Sequence, residues 1–188
     1  MTRQEFFDTY KDWAILTMAR SGIPASVTLA QGVLESDNGN SRLAREANNF
    51  FGIKVGPAWQ WSGPYILAND DKPDEKFRKY KTPYDSFIDH ANFLVVNNNY
   101  NDCFKDTNYK NWANCLKKSG YATSATYATD LINIIEKNNL QQYDIEGDIQ
   151  MQTLPNTIIR NRKKLTIITI AIVILLVALY FVGKKIFK

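Results

Sequence analysis

The stretch VTLAQGVLESDNGNS, Val27 to Ser41, is an apolar run that ends on one carboxylate, Glu35, and passes at once into small and polar residues. Val27, Ala30 and Leu34, with Leu29 and Val33 beside them, predict a helix apolar over much of its circumference, and so a central one. Pro24 is expected as its first residue, where a missing N–H costs nothing. Asp37-Asn38-Gly39-Asn40 is turn chemistry that ends the helix near Ser36. Ser41 is placed to cap a short helix over residues 41–47. A carboxylate at this boundary has two readings: an ordinary helix end bonded to its loop, or one wall of a cleft.

Working outward, Phe6, Tyr10, Trp13, Ala14 and Thr17 follow the spacing of one helix face, broken at Ser21-Gly22. From Gly52 to Tyr80 the pattern changes to PAWQW, PYILA and KFRKY, short runs that read as strands separated by Gly, Pro and the polar turn NDDKPDE, Asn69 to Glu75. Thr82-Pro83 then opens a helix that buries Phe87, Ala91, Phe93 and Leu94. Further helices are expected over 108–118 and over 123–138, the latter with Tyr127, Leu131, Ile134 and Ile135 on its face. Residues 143–159 show no clear periodicity and read as a linker. The sum is an α+β domain, mainly helical, with one small β insertion after the second helix: two lobes and a cleft between them.

Of 188 residues, 45% are hydrophobic and 13% aromatic, as a folded core requires. The net charge of +4 misleads, because all 19 acidic residues but only 16 of the 23 basic ones precede position 160. Residues 1–159 thus carry a net −3, which gives no support for nucleic-acid binding. The other 7 basic residues flank Leu165–Gly183, 19 residues without a charge. As a helix these span roughly 28 Å, close to a bilayer core of about 30 Å. MTRQEFFDTYKDW offers no apolar signal segment, so the expectation is a domain of residues 1–143, a linker with a basic juxtamembrane segment over 144–164, a transmembrane helix over 165–183 and a basic tail over 184–188. Cys103 and Cys115 are too few for a disulfide framework or a structural zinc site; they read as two partly buried free thiols or as one bridge in an oxidising compartment.

The motifs around Glu35 carry a resemblance. Ser26, Ala30, Gln31, Leu34, Glu35 and Ser36 fit the pattern S-x-x-x-A-Q-x-x-L-E-S, Gly39 and Ser41 a following G-x-S, and Asn48, Asn49, Phe51, Gly52, Ile53 and Lys54 the pattern N-N-x-F-G-I-K. FRKY (Phe77–Tyr80), SFIDHANFL (Ser86–Leu94) and GYATSATYATDL (Gly120–Leu131) follow in order. Together they resemble the glucosaminidase family of peptidoglycan hydrolases (glycoside hydrolase family 73), over about residues 4–143. That resemblance implies a lysozyme-like fold and cleavage of β-1,4 bonds in peptidoglycan glycan strands, without cofactor or metal. It also implies a bacterial or phage-encoded enzyme acting on the cell wall, here held at a membrane by its C-terminal helix. A carboxyl desolvated by an apolar helix stays protonated to higher pH and can protonate a glycosidic oxygen, and the family's general acid maps onto Glu35.

Tyr121 of the G-Y-A-T motif is expected in the catalytic cleft, where its phenol orients an acetamido group or a water, with Ala122 and Thr123 beside it at the substrate. The family's second glutamate, in a T-x-E-type strand before F-R-x-Y, is missing here. Asp70 and Asp71, at the tip of the expected hairpin, are the candidates to face Glu35. Ser41, Asn49, Phe51, Trp61 and Tyr65 are candidate substrate contacts. Trp59, Trp61 and Tyr65 read equally as sugar-stacking platforms or as the small lobe's core, and Asn48 and Asn49 as fixing the loop beneath the cleft. His90, the sole histidine, excludes a histidine-based metal cluster and reads as a packing residue. Other readings of the same motifs are an inert wall-binding module and a muramidase or lytic transglycosylase.

Overall fold

A computed structural model of the chain describes residues 1–56, 61–70 and 72–153. The elements in order are α1 (Arg3–Ser21), α2 (Ala25–Ser36), α3 (Arg42–Ala47), β1 (Tyr65–Ala68), β2 (Glu75–Arg78), α4 (Pro83–Val96), a 3-10 helix (Asn98–Lys105), α5 (Tyr109–Lys118), α6 (Tyr127–Lys137) and α7 (Gln142–Thr153). Local chemistry sets most of the boundaries. Thr2 with Glu5, and Thr82 with Asp85, close capping boxes at the starts of α1 and α4. Gly22, at φ 77, supplies the left-handed residue that ends α1.

The central helix α2 has no cap of its own, because the side chain of its N-cap Pro24 carries no hydrogen-bonding group. Pro24 therefore precedes the helix rather than opening it. The cap comes from α7: the Ser26 backbone N–H donates to Asp144 Oδ1 at 2.8 Å and the Ser26 hydroxyl to Asp144 Oδ2 at 2.6 Å. A carboxylate there satisfies helix-end donors and complements the positive end of the helix dipole. The stretch expected to be a linker is thus helical to Thr153, and its first turn is anchored on α2.

Nearly all of α2 is buried. It packs on α1 at Gly32, where a Cβ would come within 2.8 Å of Phe6 Cζ, so only glycine admits the ring. Phe6, Tyr10, Phe50 and Phe87 continue the core as an edge-to-face and tilted cluster with centroids 4.7 to 6.1 Å apart. Leu29, Trp112, Leu131 and Ile135 lie fully buried among them or behind them. Leu34, expected on the buried face, is 40% exposed, because with Glu35 it occupies the outward side of the last turn, whose Val33 and Ser36 stay buried.

β1 and β2 pair antiparallel in the register Tyr65 to Arg78 and Ala68 to Glu75, with the polar turn between them. Of PAWQW only Trp61 is described, and it belongs to no strand. The free-thiol reading gives way to a disulfide. The 3-10 helix folds back onto α5 and sets the Cα atoms of Cys103 and Cys115 5.5 Å apart, bonded to each other. The apolar segment 165–183 and its basic flanks lie outside the described residues. Among the described residues no helix is long and apolar enough to cross a membrane.

Candidate active site

The left-handed residues Asp37, Asn38 and Gly39 turn the chain sharply away after Glu35, and so leave it at the edge of a cleft of about 580 Å³. Ser36 ties that turn down by donating to the Gly32 carbonyl and accepting from the Gly39 N–H. Glu35, Phe51 and Tyr121 line one side of the cleft; Lys54, Asn69, Asp70 and Arg78 line the hairpin side.

On the helical side the contacts to Glu35 are neutral. The Tyr127 hydroxyl donates to Glu35 Oε1 at 3.1 Å and accepts from Gln31 Nε2 at 2.9 Å. Tyr121 stacks on Tyr127 with centroids 5.6 Å apart. Glu35 is open to solvent at the cleft mouth but enclosed on its other sides. That burial pushes its carboxyl above the usual range; the Tyr127 hydrogen bond opposes the shift, and the Asp70 charge adds to it. Burial also pushes the Tyr121 and Tyr127 phenols far up, so both stay protonated donors.

The hairpin side is ionic. Lys54 Nζ sits 2.9 Å from Asp70 Oδ2 and 3.0 Å from both oxygens of Glu75. Its hydrogen bonds hold the Glu75 carboxyl below the usual range. Arg78, 7% exposed, donates from Nε to the Lys54 carbonyl and from Nη1 to Asp89 at 2.8 Å.

The sequence candidates separate in this frame. Glu35, Tyr121, Asp70 and Phe51 converge on the cleft, whereas Asp71 and Trp59 lie outside the described residues. Asn49 works beneath the cleft: its amide donates to the carbonyls of Ile53 and Arg78 and accepts from the Ile53 N–H, so no polar group is left for a ligand. Ser41 caps α3 through Ala44 N. Ala122 and Thr123 offer their carbonyls to Lys117 Nζ and are not part of the cleft wall. Tyr65 is 48% exposed under the Lys76 ammonium, and Trp61 lines a different depression. His90 is fully buried and stacked on Phe51, centroids 3.9 Å apart; burial pulls its pKa down to about 3, which keeps it neutral.

Gln31 and Tyr127 were not legible as site residues, because both sit at core positions of helical patterns. The one available signal was that GYATSATYATDL sets two tyrosines, 121 and 127, at either end of the turn that leads into α6. Among the described residues no three His, Cys, Asp or Glu side chains gather as a metal site would require.

Known proteins resemble this chain in sequence and in fold. Residues 11–140 match the family model Glucosaminidase, described as mannosyl-glycoprotein endo-beta-N-acetylglucosaminidase. The exo-glucosaminidase LytG of Bacillus subtilis is 36% identical over 155 residues, covering 76% of this chain and 54% of that protein. The peptidoglycan hydrolase FlgJ of Escherichia coli K12 is 31% identical over 136 residues, 66% of this chain and 43% of its own. This chain therefore spans about half the length of these relatives. Among solved structures, the glycoside hydrolase domain of Salmonella typhimurium FlgJ superimposes with a TM-score of 0.65 at 27% identity, covering 81% of this chain and 98% of that one. The catalytic domain of the Listeria monocytogenes autolysin Auto gives 0.64 at 29%, covering 75% and 86%. With the mainly helical lysozyme-like fold and the family model's span over most of the described residues, the chain belongs to the glucosaminidase family of glycoside hydrolases.

Proposed function

We propose that this protein is a peptidoglycan glycoside hydrolase that cuts β-1,4 bonds of the glycan strand, an endo-β-N-acetylglucosaminidase with Glu35 as its general acid. The observation that carries the reading is Glu35 itself, a carboxyl desolvated on the helical side and bonded by Tyr127, in one cleft with a second carboxylate, Asp70. With Oε1 accepting from Tyr127, Oε2 is the oxygen free to carry the proton to the glycosidic oxygen. As the bond breaks and charge develops on Glu35, the Tyr127 hydrogen bond strengthens and stabilises it. Tyr121, held by its stack on Tyr127, orients the acetamido group or the attacking water. Asp70 serves as base or electrostatic stabiliser from the hairpin, with Asp71 the neighbouring alternative; Phe51 forms an apolar floor under the sugar.

The same reading assigns residues 165–183 to a membrane helix and 160–164 to its basic flank. The domain is then anchored beside the wall it cuts, with peptidoglycan as its partner. Mass spectrometry of fragments released from purified cell walls tests the assignment. Reducing-end N-acetylglucosamine on internal fragments is expected. Single sugars released from strand ends would indicate an exo-acting enzyme, reducing-end N-acetylmuramic acid a muramidase, an anhydro product a lytic transglycosylase, and no release an inert wall-binding module.

A further inference from the structure

Behind the hairpin wall lies a second depression, of about 800 Å³, whose floor includes Trp61, Tyr84 and Ile88. It is separated from the catalytic cleft by one ion pair. Arg78 lines the cleft, Asp89 lines the depression, and 2.8 Å divides their charged atoms. The Arg78 guanidinium lies 5.1 Å from the Trp61 ring, and Tyr80 donates to Asp89 at 2.6 Å, which fixes this partition from both sides.

The charges around the depression are unbalanced. Of its two carboxylates, Asp89 is neutralised by Arg78 and bonded by Tyr80, while Asp85 accepts only from the neutral N–H and hydroxyl of Thr82 in the α4 capping box. Among the described residues three cations, Arg20, Lys79 and Lys81, thus stand against one remaining negative charge. Lys79 and Lys81 are exposed, and neither ammonium has a partner among the described residues. Arg20 donates only to the neutral Tyr84 hydroxyl, at 3.3 Å. Lys79 and Lys81 flank the buried Tyr80, and both exposed side chains line the depression. A cationic depression on a region whose net charge is −3 is complementary to an anion with an apolar body.

We propose that this depression binds the carboxylate-bearing peptide stem of the strand whose sugars occupy the cleft. The proposal rests on the peptidoglycan reading above. Lys79, Lys81 and Arg20 take the stem's carboxylates, while Trp61 and Ile88 pack its aliphatic parts. The partition of Arg78, Asp89 and Tyr80 spans the short distance from sugar to peptide. The enzyme then reads not only the glycan but whether it is still substituted, and cuts peptide-bearing strands in preference to bare ones.

The test uses the full chain and its Lys79→Ala/Lys81→Ala variant on two substrates: peptidoglycan freed of anionic wall polymers, and the same strands stripped of peptide by an amidase. The expected result is about a 10-fold loss of kcat/KM on the peptide-bearing strands, no change on the bare ones, and recovery in Lys79→Arg/Lys81→Arg. Equal losses on both substrates, or no loss on either, would overturn the proposal. So would a loss that appears only on walls retaining their anionic polymers, which would make those polymers the ligand. Absence of new reducing ends from either substrate with the unaltered enzyme would instead remove the glycosidase reading, a different failure that this assay separates.

Discussion

On the helical side of the cleft Glu35 is held by a phenol, backed by an amide and a second phenol; on the hairpin side Asp70 and Glu75 share the ammonium of Lys54. One wall withholds charge compensation from its carboxyl and the other supplies it. Burial on the first raises the Glu35 pKa, while hydrogen bonding on the second depresses that of Glu75. The Lys54 ammonium compensates the carboxylates of the hairpin, while among the described residues no cation does so for Glu35 on the helical side. The difference lies in the partners, not in the carboxyls: a helix end without a cation beats a solvated hairpin at holding a proton.

The largest effect expected from this contrast is at Glu35. Glu35→Gln keeps the shape and the acceptor for Tyr127 but has no proton to give, and release of reducing ends should fall by about 1,000-fold. Stability should move the other way. The folded state disfavours ionised Glu35, so the amide removes a cost that grows as pH rises through the raised pKa. The variant should therefore unfold at higher denaturant than the parent at alkaline pH and match it in acid. A variant that lost stability across the whole range would contradict the desolvated environment.

Asp70→Asn probes the opposite wall. If Asp70 is the second carboxylate, activity drops by roughly 100-fold while the pH at which Glu35 deprotonates moves slightly down, because a repelling charge has gone. A loss below about 10-fold there and in a parallel Asp71→Asn variant would break the symmetry of the comparison and transfer the role to the substrate's own N-acetyl group.

Tyr127→Phe sharpens the contrast from the helical side. Its hydrogen bond favours ionised Glu35, so deleting it leaves the acid protonated to higher pH. The alkaline limb of kcat/KM should shift upward by no more than about one pH unit, the worth of one such bond. A downward shift would mean that Tyr127 acts on Glu35 by something other than donation.

The sequence made one wall far more legible than the other. VTLAQGVLES has helical period and a lone carboxylate at its end, so the element and the place of that carboxylate at its boundary followed from pattern. The hairpin wall depends on Lys54 reaching across to Asp70 and Glu75 and on Arg78 reaching Asp89, pairings 11 to 21 residues apart that no local periodicity encodes. The aromatics show the same limit. Trp61 and Tyr65 have the chemistry of sugar platforms, yet neither lines the cleft: Tyr65 faces out from β1, and Trp61, before the strand, lies under Arg78 in the other depression. The misread linker had a further cause: the apolar positions of α7, such as Ile145 at 64% and Ile149 at 59% exposure, do not face a core, so no amphipathic pattern marked it as a helix.

That helix bears on the smallest expected effect, which asks how far the helical wall depends on a distant group. Asp144 reaches 118 residues back to Ser26 and caps the helix whose last turn carries Glu35. Burial raises its pKa from 3.8 to about 6, against the pull of the Ser26 hydrogen bonds. Between those values the folded state binds the proton more tightly than the unfolded chain does. Asp144 therefore contributes stability in full below about pH 4, and the contribution is lost as pH rises through about 6. Partial solvent exposure limits the change to about 1–2 kcal/mol. Asp144→Asn keeps an oxygen for the Ser26 N–H and removes the titration, so the variant should lack the parent's decline in unfolding free energy across that window. Near pH 7 the two should lie within about 1 kcal/mol, because the relieved charge offsets the weakened cap. Urea titrations at pH 4 and pH 7 measure both differences. Parallel pH dependence in parent and variant would show that Asp144 binds its proton equally in the folded and the unfolded chain, and that the cap supplied by α7 makes the wall that carries Glu35 no more sensitive to pH.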